Sequence, residues 1–328
     1  MIDITLLGSA AAMPTPQRGL TAAALRCGGR CILFDCGEGT QVALRREKIS
    51  PLKIDLIALS HFHGDHIFGL PGLLQTMSCL RRTEPLFITG PEGLGDAMEP
   101  VLRMAGVTDF PIRLVPCPEV QGFAMRELHS AWPRGARCAA VPTVHRVPSQ
   151  GYVFSLPRPA RFDPEKARAL GIPENQWGTI IDRPDEPVLL EGKPLYQEGR
   201  PVYGHMLLGK PRKGLRFAFS GDTLPCPAMA EAAAGADLLI HEATYGEDSF
   251  AEQALLYGHC TFRQAAALAA QARVRALWLS HFSQTMRQPE DCLPIAREIF
   301  PNTRCGCDGL SATLGFDKRE LKERVEIE

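Results

Sequence analysis

The stretch ALSHFHGDHIFGLPG, residues 58–72, constrains this chain more than any other. His61, His63, Asp65 and His66 crowd into six positions directly after an apolar run. The preceding KIDLIALS (53–60) reads as a short buried strand, and IFGLPGLLQTMSCL beyond the cluster reads as apolar and mostly helical. The donors therefore lie where a strand feeds a helix, the usual place for ligand chemistry in layered α/β folds. A surface turn with incidental histidines is the bland alternative, but the cluster is dense and chemically coherent. Imidazole nitrogen and carboxylate oxygen suit zinc and its first-row neighbours.

A chain of 328 residues can bury a large core, as one big domain or two modest ones. The first third alternates strand-like runs at 2–8, 20–27, 30–37 and 84–90 with helical stretches at 38–48 and 91–106. Strands are expected at 111–116, 122–128, 138–144 and 151–157. From residue 158 to 213 the chain turns rich in proline and charge, with one clear helix at 163–171. This segment reads as an inserted, protruding arm within a single domain spanning 1–328. Order resumes with strands at 214–223, 236–244 and 274–283 and helices at 261–272 and 289–300.

Exclusions are few. No run approaches the roughly 18 apolar residues of a membrane span, and MIDITLLGSA lacks a basic leader followed by a long apolar region. The 11 cysteines are scattered singly, without C-x-x-C, as suits a reduced cytoplasm rather than a disulfide framework. A formal charge of −1 gives no global pull toward nucleic acid, so such binding would need local patches.

A metal site needs more than one turn. His145 ends one strand-like run, Asp222 follows another in FAFSGDT, and His281 follows a third in LWLSHFS. A lone histidine at a strand end is usually structural, but four such ends each carry a donor. Two metals need about seven ligands, and His61, His63, Asp65, His66, His145, Asp222 and His281 supply them.

His61-x-His63-x-Asp65-His66 with these partners resembles the metallo-β-lactamase superfamily. More narrowly, LLGSAAAMPTPQRG, LFDCGEGTQ, HEAT and GHCTFRQAA look like ribonuclease Z, the tRNA 3′-processing endonucleases. The resemblance covers most of the chain outside 158–213. It implies an α/β fold, the αβ/βα four-layer sandwich with an inserted arm. It also implies two Zn²⁺ per chain, with Mn²⁺ or Fe²⁺ accepted by the same donors. His61, His63 and His145 would hold one ion, Asp65, His66 and His281 the other, and Asp222 would bridge them. The implied catalytic residues are Asp65, His259 and Glu242. His259 would protonate the leaving oxygen while Glu242 orients it, because an alkoxide needs a proton and a carboxylate raises imidazole basicity. Helix capping is the bland alternative for both residues. A cytoplasmic homodimer acting on precursor tRNA is the implied assembly. His129, His205 and His241 are expected to be structural.

Where the family carries Pro-x-Lys-x-Arg-Asn, this chain has PTPQRG, in which Arg18 survives but the lysine and asparagine do not. SHFSQTMRQ lacks the family's serine-x-arginine-tyrosine run. The arm's 174–192 stretch places Glu174, Asp182, Asp185, Glu186 and Glu191 against Arg183 alone, a charge that repels phosphate. Three functions are therefore expected in decreasing order. They are a zinc-dependent endoribonuclease trimming the 3′ trailer of precursor tRNA, a phosphodiesterase acting on a smaller substrate, and a non-catalytic metal-stabilised binding subunit.

Overall fold

Strands buried on both faces read as continuous apolar runs rather than alternations. IDITLLG, AAALRC and IDLIA are of this kind, and all three join one sheet. The computed structural model describes residues 1–116, 122–316 and 322–324. The sheet has eight strands in the order Lys322–Arg324, Ser311–Leu314, Ile2–Gly8, Ala22–Cys27, Arg30–Phe34, Ile54–Ala58, Leu86–Thr89, Ile112–Leu114. Its first half is antiparallel, and pairing becomes parallel from Arg30–Phe34 onward. A second sheet of seven strands runs Thr303–Cys305, Leu277–Ser280, Leu238–Glu242, Arg212–Phe219, Gln150–Arg158, Arg137–Pro142, Phe123–Ala124.

The inner faces share one core in which Ile4, Leu6, Phe34, Tyr152, Phe217 and Trp278 are fully buried. Helices cover the outer faces. Leu70–Cys79 and Leu94–Ala105 pack Leu73, Met77, Met98 and Val101 toward Leu33, Ile57 and Ile88 of the first sheet. Phe262–Gln271, opened by a reciprocal Thr261–Gln264 cap, sets Phe262, Ala265 and Ala269 against Leu239 and Leu277 of the second. Helix, sheet, sheet and helix give the four layers expected from the sequence. Strands ending at Ala58, Phe219, Glu242 and Ser280 are followed by the loops that carry chemistry.

The structure differs from the sequence expectation in several places. Of 122–128 only Phe123–Ala124 is strand, and Met125–Leu128 forms a helical turn that sinks Met125 into the core. The helix expected at 289–300 is a 3₁₀ turn at Pro289–Cys292 followed by Leu293–Arg297. Pro294 lacks the N–H that a continuous helix would use there. Helices Pro227–Ala232 and Ala251–Tyr257 and the strands after residue 302 were not anticipated.

Pro157–Gly214 is a compact unit by itself. Its small core comprises Ala167, Ile172, Ile180, Val188, Val202 and Leu207. Besides the expected helix, here Pro164–Ala169 capped by Asp163, it contains helix Glu174–Asp182, where the sequence suggested only an acidic tip. Glu174 pairs with Arg168 at 3.1 Å and Glu186 with Arg183 at 3.4 Å, so part of that acidic charge is met within the unit. Among the described residues, no helix of the chain is long and apolar enough to cross a membrane.

Between the sheets a buried ion pair is tied to an aromatic. Arg30 Nε donates to Asp55 Oδ2 at 2.8 Å, and Trp132 Nε1 donates to the same oxygen at 2.7 Å. Asp55→Ala leaves the buried Arg30 guanidinium with the half-exposed Glu84 as its remaining carboxylate, at 2.8 Å, and removes the acceptor of the Trp132 indole N–H, so it should cost about 3 kcal/mol. The urea midpoint should drop with an unchanged m-value, while the folded variant keeps its metal content.

Candidate active site

The His-x-His-x-Asp-His turn is held from beneath by groups that the sequence reading did not single out. Asp35 directly follows strand Arg30–Phe34 at φ 55°, in the left-handed region that few non-glycine residues occupy. Its carboxylate accepts from Ser60 N at 2.6 Å and Ser60 Oγ at 2.8 Å, and lies 2.8 Å from His66 Nδ1. Asp35 therefore anchors the turn and fixes His66 with Nε2 as its ligand atom. Thr244 Oγ1, 2.9 Å from His281 Nδ1, plays the same part across the site, and the Gly258 carbonyl 2.8 Å from His145 Nδ1 does so for a third ring. His281 sits at φ 61°, a strained backbone for an imidazole residue and one that clusters at functional sites. Asp65 Oδ2 accepts from Ala12 N at 2.7 Å, and Ala12 is also at positive φ.

All seven donors named from the sequence converge. One ligand atom each from His61, His63 and His145 lies within 4.8 Å of the others, and so do atoms of Asp65, His66 and His281. Asp222 Oδ2 lies between the groups, 3.7 Å from His61 Nε2 and 3.3 Å from both His66 Nε2 and His281 Nε2. His129, His205 and His241 lie in none of these clusters.

A cation fits this arrangement on its own chemistry. His66 Nε2 and His281 Nε2 face each other at 3.3 Å while both Nδ1 atoms are engaged elsewhere. Two lone pairs at that distance repel unless a positive charge sits with them. Among the described residues His145 Nε2 and Asp222 Oδ1 are buried without a hydrogen-bond partner, a costly state for polar atoms unless something binds them. Burial and the charge of His66 push His61 down to about 2, and burial lowers His63 and His145 as well, so these rings are neutral and ready to ligate. Burial disfavours charge on His66 too, but Asp222 and Asp35 outweigh it and raise its pKa well above the usual range. The proton they draw to His66 stands where a bound dication would supply the charge, so metal uptake should release protons.

Beside the two clusters lies a second pair. Glu242, at the end of strand Leu238–Glu242, has Oε1 3.0 Å from His259 Nδ1. Its carboxylate is otherwise held by Thr223 N and by Thr244 N and Oγ1, at 3.0–3.1 Å. Burial opposes charge on His259, but Glu242 prevails and raises its pKa to about 9. The His259 ring is 5.1 Å from His145 and 5.3 Å from His281, centroid to centroid, so it neighbours both donor groups. Neither residue is a helix cap: Thr261 caps the helix that follows His259.

Arg18, the residue retained from the family's loop, donates from Nη2 to Met286 O at 2.7 Å and stacks over Phe282 at 5.9 Å. That loop is pinned further by Asp308, which accepts from Ser9 Oγ at 2.8 Å and Gly19 N at 2.6 Å.

Asp35→Asn should weaken metal binding by roughly 10- to 100-fold, the usual effect of losing a partner behind a ligand. Titration with a chromogenic chelator checks this, and the ion held through His61, His63 and His145 should be the less affected.

Comparison with known proteins agrees with this geometry. A model of the metallo-beta-lactamase superfamily matches residues 21–126, and a beta-lactamase superfamily domain model matches 194–282. Ribonuclease Z of Lachnoclostridium phytofermentans is 38% identical over 326 residues, covering 98% of this chain and all of the relative. Ribonuclease Z of Agathobacter rectalis is 39% identical over 319 residues, covering 97% of this chain and 100% of the relative. The crystal structure of the short form of human tRNase Z superposes with a TM-score of 0.65 at 26% identity, over 95% of this chain and 99% of that one. The chain belongs to the metallo-β-lactamase superfamily and, within it, to the ribonuclease Z family. It is a metal-dependent hydrolase of nucleic acid.

Proposed function

We propose that this protein is the endoribonuclease that removes the 3′ trailer of precursor tRNA, leaving a 3′-hydroxyl on the tRNA. It would act as a cytoplasmic homodimer with two Zn²⁺ per chain. The observation that carries this reading is the His259–Glu242 pair at 3.0 Å, set beside two complete donor clusters. A hydrolase of activated esters needs no proton donor at its leaving group, whereas cleavage of RNA expels a strongly basic sugar oxygen.

The reading assigns His61, His63 and His145 to one ion, Asp65, His66 and His281 to the other, and Asp222 to both. Bound there, two such ions lower the pKa of a water and neutralise charge on the attacked phosphate. Asp65, held by Ala12 N, orients the nucleophilic side of the site. Glu242 accepts a fixed hydrogen bond from His259 Nδ1–H, which leaves Nε2–H to give its proton to the departing 3′ oxygen. The intact donor set speaks against a non-catalytic binding subunit.

The test is cleavage of a precursor tRNA carrying a labelled trailer, run beside a small nitrophenyl phosphodiester. A single cut at the trailer junction with a free 3′-hydroxyl is expected. Turnover of the small diester with no cut in the RNA would overturn the substrate assignment.

A further inference from the structure

A surface feature near His259 has no part in metal binding or proton delivery. Helix Ala251–Tyr257 ends one residue before the Gly258–His259 turn, and it carries Leu255, Leu256 and Tyr257 exposed to 65%, 70% and 41%. A short helix that shows this much apolar surface to water is not completing a core. Arg146, next in sequence to His145, sets its guanidinium over the Tyr257 ring, 5.7 Å from the centroid. Among the described residues Arg146 makes no ion pair, and it is exposed. Tyr245 and Phe250 stack at 5.8 Å nearby, and Tyr245 meets the His259 ring edge-on at 6.4 Å.

Arg146 also lines an open cleft of about 540 Å³ with Glu92, Thr143, His145 and Gln150. The volume suits one nucleotide. Donors and acceptors are mixed along the cleft, and a carboxylate is among them. Such a lining matches the edge of a base better than it matches a phosphate, which would call for cations alone.

We infer that Arg146 and Tyr257 form a stacking seat for the base of the nucleotide on the 5′ side of the cut, the last one the tRNA retains. The inference rests on the tRNA-processing reading above. His259 delivers its proton to the 3′ oxygen of that nucleotide. The sugar whose oxygen departs must therefore lie beside His259, and its base falls within reach of the residues flanking the Gly258–His259 turn. Stacking tolerates any base because every base has a π-face. The seat thus gives position without strong sequence preference.

The experiment is a cycle that crosses protein variants with the substrate's base. Precursor tRNA with an intact base at that position, and the same RNA abasic there, are cleaved by the metal-loaded wild type, Tyr257→Ala, Tyr257→Phe and Arg146→Ala. For intact RNA, Tyr257→Ala should raise KM by roughly 5- to 150-fold, the usual worth of one stacked base. Tyr257→Phe, which keeps the ring, should restore most of it. On the abasic RNA the wild type should already show the raised KM, and Tyr257→Ala and Arg146→Ala should add little. Equal losses on both RNAs would mean that these side chains bind backbone or support the fold, and the seat would be overturned. A fall in kcat with unchanged KM would overturn it as well. A wild type that leaves precursor tRNA uncut overturns the substrate reading and the seat together, whereas a wild type that cuts but is indifferent to the base overturns the seat alone.

Discussion

Asp222→Ala should reduce bound metal from about two ions per chain to one or fewer and lower turnover of every phosphodiester by roughly 10³-fold or more. The expectation follows from where its carboxylate sits, 3.3 Å from His66 Nε2 and His281 Nε2 and 3.7 Å from His61 Nε2. Among the described residues no other carboxylate reaches both groups of histidines in this way. Burial disfavours charge on Asp222, but His281 and His66 overcome it and keep the pKa well below the usual carboxylate range. The residue is thus an anion buried for electrostatic reasons, and removing it leaves facing imidazoles with no charge between them. Loss of a paired site removes both the lowered pKa of water and the neutralisation of the attacked phosphate. Elemental analysis of the unchelated protein is the check, with Asp222→Asn as a partner that preserves packing. Two ions retained in both variants, with normal turnover, would end the bridging assignment.

His259→Ala should slow RNA cleavage by roughly 10²–10⁴, the usual contribution of general acid catalysis. A nitrophenyl phosphodiester should slow far less, because nitrophenolate departs without a proton, and metal content should not change. Glu242→Gln should act in the same direction but more mildly. The sign of the pH effect follows from the pair. Glu242 raises the His259 pKa to about 9, so the ring stays protonated, and active as an acid, up to that range. Without the carboxylate the pKa falls, and the proton is lost at lower pH. The alkaline limb of the rate profile for Glu242→Gln should therefore move to lower pH than in the wild type. Equal losses on RNA and on the nitrophenyl diester would assign His259 to the metal site or the fold instead.

The sequence made some parts of this site easy to collect and hid others. His61, His63, Asp65 and His66 are local, so spacing alone brings them together. His145, Asp222 and His281 each follow an apolar run, and strand ends in such a fold meet at one edge. Asp35, Ser60 and Thr244 escaped notice because they act through hydrogen bonds that link distant positions, and a lone serine or threonine carries no pattern. Asp35 had one usable signal: it is a lone carboxylate directly after the apolar residues Cys31–Phe34, inside the run read as strand 30–37. Helix Ala251–Tyr257 was missed for a related reason. It leaves Leu255 and Leu256 in water, so its apolar positions do not follow the spacing of a core-facing helix. The core of Pro157–Gly214 is built from widely spaced single residues such as Ile172, Val188 and Leu207, which proline and charge obscure in the sequence.

The donors do not come from one sheet. His61, His63, Asp65 and His66 follow a strand of the first, whereas His145, Asp222 and His281 follow strands of the second. Ions bound there would act as rivets through the sandwich, present only when both halves are assembled. A ligand that binds the folded state alone at 1,000 times its Kd adds about 4 kcal/mol, a large part of a domain's total stability. Metal supply would then govern how long each molecule survives as well as how fast it works. In a metal-starved cell the protein should be cleared by proteolysis, and its abundance should fall along with its turnover.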